Sequence, residues 1–258
     1  MCERNGFEHG VPCWVAGIHP DPAAAASFYG DLLGWEPEEI EPGHLVCRLR
    51  GREVAAIGSG PGAAPEAAVW QTNVWVDDAD ATAAQVAGAG GSVLAEPFDL
   101  GGAGRMAVVA DPAGAPFALW EPGELRGARV VNEPGAWAMS LLATTDPEGA
   151  ERFYGEVFGW EADDFGGVWL WRLPGFVGGE PMQPVPRDVI GAMMPAEGGR
   201  PTSWDVNFWV ADADDSAARA AELGGSVVVA PFDTEITRDA VLADPQGAVF
   251  SVSTAPGP

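Results

Sequence analysis

The chain contains no lysine: its 13 basic residues are all arginines, set against 38 acidic residues, for a formal charge of −25. Without lysine it can neither form a Schiff base nor present the lysine of a phosphate-binding P-loop. A field of that sign repels nucleic acid and anionic membrane and attracts cations, so neither nucleic acid nor membrane is expected as a partner. Cysteine is scarce as well. Cys2, Cys13 and Cys47 are odd in number, confined to the first half and without CxxC spacing, which argues against a disulfide framework or a zinc site and leaves reduced thiols. Long apolar runs are missing, none approaching the ~18 residues of a membrane-spanning helix. The opening MCERNGFEHG lacks the basic start and apolar stretch of a secretory signal, so a cytoplasmic location is expected.

What the chain has in abundance is repetition. FYGDLLGW (28–35) returns as FYGEVFGW (153–160), and WQTNVWVDDADATAA (70–84) as WDVNFWVADADDSAA (204–218). GGSVLAEPFD (90–99) returns as GGSVVVAPFD (224–233), and ADPAGAPF (110–117) as ADPQGAVF (243–250). The offset grows from 125 at the first phrase to 133 or 134 later, so extra residues lie between Trp160 and Trp204, most naturally in the Gly- and Pro-rich PGFVGGEPMQP (174–184). Two domains follow, 1–124 and 136–258. The stretch between them, 125–135, belongs to a join, EPGELRGARVVNEPG (121–135), whose Pro, Gly and charge read as an exposed linker.

Within the first copy PCWVAGI reads as a strand and DPAAAASFYGDLLGW as a helix, with Asp21 as N-cap, Pro22 in the first turn and Gly34 as the stop. HLVCRLR and REVAAIG are further strands. The order then restarts: a strand over 69–76, a helix over 79–89 and strands near 92–95, 105–110 and 115–120. Each copy is therefore two units in tandem. Phe28, Leu32 and Leu33 lie at helical spacing to pack on a sheet. Tyr29 and Tyr154, the only tyrosines, sit inside such helices, which points to packing rather than catalysis.

The sequence of Asp-Pro, FYG, GW, WVDDAD, GGSV and ADPAGAPF resembles the vicinal oxygen chelate superfamily, which includes glyoxalase I, extradiol dioxygenases and bleomycin-binding proteins. The resemblance covers nearly the whole chain and implies an α+β fold of tandem βαβββ units, forming two domains whose curved mixed sheets enclose cavities. In members that use a metal, the ligands stand at four inward-facing strand positions. Carried over by spacing, three of these fall on Trp14, Gln71 and Ala118 in the first copy and on Met139, Asp205 and Ser251 in the second. The fourth falls in VAAIGSG (54–60) or VIGAMMPA (189–196), neither of which has an acid or histidine. A divalent transition ion wants three or more His, Cys or carboxylate donors. No metal and no other cofactor is expected. Of His9, His19 and His44, only His19 adjoins an expected inner strand.

Side chains alternate along a strand, so Gln71, Asn73 and Trp75 should face one cavity and Asp205, Asn207 and Trp209 the other. Trp14 and Trp120 join the first; Met139, Ser251, Arg172 and one of Trp169 or Trp171 join the second. The chain holds 11 tryptophans, whose wide faces suit either an aromatic ligand or a packed core. Asp205 is the one acid at a ligand position, and burial there would raise its pKa and make it a candidate acid or base. Arg48 and Arg172 occupy like places, as do Arg105 and Arg238, and the second pair reads as structural. The function expected is metal-independent binding of an aromatic or polycyclic small molecule, a cationic one being favoured by the charge, as in natural-product self-resistance or biosynthesis. The alternatives are a metal-free isomerase, cyclase or hydratase acting through Asp205, and a metal-dependent lyase or dioxygenase. A monomer or a homodimer is expected.

Overall fold

The computed structural model describes residues 4–60, 67–178 and 187–254. Cys2 and the 179–184 part of the expected insertion lie outside the described residues. The first unit is β1 (Pro12–Ile18), α1 (Pro22–Leu33), β2 (Glu36–Glu41), β3 (His44–Leu49) and β4 (Arg52–Gly58). The second is β5 (Val69–Trp75), α2 (Ala79–Gly88), β6 (Ser92–Asp99), β7 (Gly104–Ala110) and β8 (Pro116–Pro122). The third is β9 (Trp137–Thr144), α3 (Pro147–Phe158), β10 (Glu161–Phe165), β11 (Val168–Arg172) and β12 (Val189–Pro195). The fourth is β13 (Ser203–Trp209), α4 (Ala213–Glu222), β14 (Ser226–Asp233), β15 (Arg238–Ala243) and β16 (Val249–Thr254).

The eight strands of each copy form one mixed sheet, in the orders β2-β3-β4-β1-β5-β8-β7-β6 and β10-β11-β12-β9-β13-β16-β15-β14. The tandem βαβββ architecture is therefore as expected. Reading unit by unit, the sequence hid β2: EPEEIE is exposed at every residue and has no apolar alternation, so only pairing with β3 makes it a strand. The helices begin and end as their sequences dictate. The Asp21 and Asp146 carboxylates accept the backbone N–H groups of Ala24 and Gly149, each followed by proline. Gly34 and Gly159 close them in the left-handed conformation, φ 75° and 73°, which costs glycine little.

The two sheets stand back to back. Thr72 on β5 donates to Ser140 on β9 at 2.7 Å, and both are buried. α1 lies beside α4 and α2 beside α3, so each helix of a first unit packs against the other domain's second unit. This explains the repeated phrase. The Tyr29 hydroxyl donates to Asp244 of the second ADP motif at 3.0 Å and accepts from the Trp70 indole at 2.8 Å. The Tyr154 hydroxyl donates to Asp111 of the first ADP motif at 3.2 Å and accepts from Trp204 at 2.8 Å. Trp35 reaches the Gly135 carbonyl and Trp160 the Gly10 carbonyl, at 2.6 and 2.7 Å. Phe28 packs edge-on against Phe250, and Trp35 against Phe208, across the same boundary. FYG, GW and ADP are thus two halves of one clasp, each domain supplying what the other lacks.

The join also differs from a free linker. Ala128, Val130 and Val131 are buried, Ala128 N donating to Cys13 O at 2.8 Å and Arg129 N to Glu53 O at 2.7 Å. Arg105 ties Asp80 to Asp99, and Arg238 ties Asp214 to Asp233, so both pin the start of a helix to an edge strand.

Candidate functional site

Each sheet has an inner face turned away from the other domain. On β5 the odd positions Gln71, Asn73 and Trp75 lie on it, while Trp70, Thr72 and Val74 face the domain boundary, in line with the expected parity. Trp14 stands opposite Asn73, and Asn73 beside Ala118, with Trp75 beside Trp120. The indoles of Trp14, Trp75 and Trp120 are only 2, 6 and 3% exposed. They are covered from the N-terminal side and by the join. Phe7 lies tilted on Trp75 at 6.3 Å, Arg126 sits over the same ring at 5.4 Å, and Trp120 donates to the Leu125 carbonyl at 3.1 Å. Asn73 is 1% exposed and bonds to the backbone carbonyls of Trp14 and Gln71. Gln71 alone of the first set keeps partial access to solvent. Stacking of a ligand on these indoles would first require Phe7 and the join to move away.

The second inner face is more open. Met139, Asp205, Asn207, Trp209 and Ser251 are all half-buried. Asn207 stands between Met139 of β9 and Ser251 of β16, and its amide donates to Ser251 and Ser253 at 2.8 and 2.7 Å. Two rows further along, Asp205 accepts from Arg200 and, at 3.3 Å, from Ser203. Burial raises the Asp205 carboxyl above the usual carboxylate range, against the opposing pull of the Arg200 guanidinium and the Ser203 hydroxyl. Leu170, Val189 and Ala192 form the apolar floor next to Met139 and Leu141.

Arg172 sits at the rim, paired with Asp163 at 2.5 Å and with Asp188. Arg48 repeats this arrangement in the first copy, with Glu38 and Glu53. The expectation that Trp169 or Trp171 joins the second cavity is corrected: Trp171 is fully buried on the opposite face against Tyr154 and Trp160, and Trp169 packs with that cluster. β11 carries leucine, Leu170, to the inner face instead.

His19 also belongs elsewhere. It is fully buried in the clasp, its Nε2 2.6 Å from Asp244, within a group formed by Tyr29 and Trp70. Neither the two clasp aspartates nor this role of His19 was read from the sequence. The signal was present: FYG of each copy recurs with the ADP motif of each copy, but nothing in one dimension says that they pair crosswise. Burial pushes the thiols of Cys13 and Cys47 up, the latter to about 12, so neither is a nucleophile at neutral pH.

The positions carried over from metal-using members offer a divalent ion too few donors: Trp14, Gln71 and Ala118 in one copy and Met139, Asp205 and Ser251 in the other, while Ala56 of β4 and Ala192 of β12, within the stretches expected to hold the fourth, pair with β1 and β9 and supply none. Among the described residues no three His, Cys, Asp or Glu side chains converge to hold a metal. One carboxylate already engaged by an arginine is a poor donor set.

A Glyoxalase-like domain model matches the chain twice, over residues 14–120 and 139–253. A Mycobacterium tuberculosis protein carrying the provisional name glyoxylase CFP32 is 38% identical over 260 residues, covering 98% of this chain and 97% of the relative. The anthracycline biosynthesis protein DnrV of Streptomyces peucetius is 37% identical over 264 residues, covering 95% and 94%. The Mn(II)-bound glyoxalase from Novosphingobium aromaticivorans superposes with a TM-score of 0.66 at 17% identity, covering 98% of this chain and 83% of that one. With two matched domains, near-full-length relatives and a shared fold, the chain belongs to the glyoxalase-like family of the vicinal oxygen chelate superfamily.

Proposed function

We propose that the chain binds an aromatic or polycyclic small molecule on the inner face of its second domain, without a metal. The observation that carries this reading is the half-buried set of Asp205, Asn207, Ser251 and Trp209 set beside Met139 and Leu141: a polar row with an apolar floor, open to solvent. Sites for small molecules combine concave apolar surface with a few fixed polar groups. The anthracycline biosynthesis relative supports a polycyclic ligand. Asp205 and the charge of −25 favour a cationic substituent, which would compete with Arg200 for the carboxylate.

A second reading, a tailoring enzyme acting without a metal, is favoured by Asp205 itself. A carboxyl whose proton is held more tightly than usual can give or take one from a ligand beside it. Metal-stripped protein titrated with a tetracyclic anthracyclinone, with and without Mn(II), tests both. Saturable quenching, equal in the two series and with the compound recovered unchanged, supports binding. Conversion lost in Asp205→Asn with affinity retained would establish the enzyme. Binding or conversion only with Mn(II) would overturn both readings.

A further inference from the structure

One row of the second inner face differs in chemistry from its counterpart in the first. Trp209 on β13 stands beside Ser253 on β16, Ser253 opposite Asp239 on β15, and Asp239 opposite Phe232 on β14, so the four side chains share a face. That face is the inner one, since Asn207 bonds there to the Ser251 and Ser253 hydroxyls. The matching row of the first domain reads Trp75, Trp120, Met106 and Phe98. Serine thus stands where the first domain has an indole, which removes bulk between Trp209 and Asp239. A carboxylate stands where the first domain has a thioether.

In the first domain a cation already lies over the indole: the Arg126 guanidinium of the join is 5.4 Å from the Trp75 ring. Among the described residues no guanidinium lies over Trp209, which is half-buried where Trp75 is sealed. Nor does an arginine among them neutralise Asp239. Arg238, next in the chain, ties Asp214 and Asp233, and Arg200 holds Asp205. Asp239 is half-buried, and its Oδ1 is shielded without a hydrogen-bond partner, so its charge is left to be met at Oδ2. Phe232 beside it is 40% exposed, an aromatic ring facing an open cup. Two strand spacings, about 10 Å, separate the Trp209 and Asp239 backbones, and the small Ser253 between them leaves room for a cation that reaches both.

We propose that this row is the amine site of the second domain: an alkylammonium group of the bound molecule sits over Ser253, donates to the Asp239 carboxylate and lies against the Trp209 indole, with Phe232 flanking the carboxylate. An indole face attracts a cation within about 6 Å of its centre, as Trp75 already does in the first domain. The inference rests on the binding reading above and assigns its cationic substituent to Asp239, where no arginine has to be displaced. At Asp205 the same group would have to displace Arg200.

Calorimetric titration with 2-(aminomethyl)anthraquinone and its uncharged counterpart 2-(hydroxymethyl)anthraquinone, at neutral pH, tests the assignment. In the unaltered protein the amine should bind about tenfold more tightly, the effect of one hydrogen bond to a charged group. Asp239→Asn should bring the ratio of the two affinities to about one, and Trp209→Leu should reduce it. Asp31→Asn, at an exposed site on α1 of the first domain, weakens the overall negative field by the same single charge and should leave the ratio at about ten. Equal affinities in the unaltered protein, a ratio that survives Asp239→Asn, or one that is lost in Asp205→Asn instead would overturn the amine site and leave the binding reading standing. If neither probe binds, both fall.

Discussion

The two domains share a scaffold and differ in what they spend it on. In the first, the inner face carries three indoles, a neutral Gln71 and a buried Asn73, and Phe7 with the join seals its aromatic end. In the second, the same strand positions carry Met139, Asp205, Asn207 and Ser251, and the face stays half-open. The clasps differ in the opposite sense. The one around Asp244 includes His19; at the corresponding place near Asp111 stands Thr144, which instead accepts from the backbone of Asp146 at 3.1 Å. A duplicated chain has thus kept the contacts that join its halves and let the two cups diverge.

The sharpest way to break the comparison is at His19. His19→Ala leaves Asp244 buried beside the Tyr29 hydroxyl without its imidazole, and a loss of about 3–5 kcal/mol is expected. Thr144→Ala should cost far less. Equal losses in denaturant unfolding would show that the clasps are equivalent after all.

Tyr29→Phe and Tyr154→Phe each remove a hydroxyl that both accepts from a buried indole and donates to a carboxylate. About 1–3 kcal/mol is expected from each, since the indole and carboxylate are stranded. Because each tyrosine bonds across the boundary, cutting the chain between the domains should reveal two halves that unfold less cooperatively than the whole. Values near zero for both would remove the hydroxyls from the account of domain joining.

The clasp carboxylates should also answer to pH with opposite sign. Burial favours the neutral form of Asp244, but the His19 hydrogen bond and charge, together with the backbone N–H groups of Ala248 and Gln246, outweigh it and hold the carboxyl below its usual range. Its contribution is present above the ordinary carboxylate value of about 3.9 and is lost as pH falls through the lower native value. Asp111 has no histidine; burial raises it, despite the bonds from the Ala115 backbone and Tyr154. The native state then holds its proton more tightly than the unfolded chain, so stability rises as pH falls through that raised value toward 3.9. Asp111→Asn should flatten the profile just above that range and leave the more acidic limb, where Asp244 acts, unchanged. The same change in both limbs would show that the two sites are not separable.

The smallest effect is expected at Arg105 and Arg238, which tie exposed acids in matching places. Alanine at either should barely shift the midpoint at moderate salt, as exposed pairs contribute little. A clear loss at one of them alone would reveal an edge strand held more tightly in that domain.

Much of this was legible in one dimension. Repeats at a growing offset imply two domains of paired units. Alternation on WQTNVWV and WDVNFWV assigns faces, because a strand offers a side chain only two directions. Asp-Pro and Gly bracket the helices because caps are local chemistry. The strand EPEEIE could not be read, having no periodicity of its own, nor could the fate of the indoles: periodicity placed Trp14, Trp75 and Trp120 on the inner face but not under Phe7. What only the tertiary structure decided is the crosswise pairing of Tyr29 with Asp244 and Tyr154 with Asp111, and which cup is open. Local sequence sets the direction in which a side chain points; the partner that arrives there comes from elsewhere in the chain and is selected by packing and by the need of every buried polar group for a hydrogen bond.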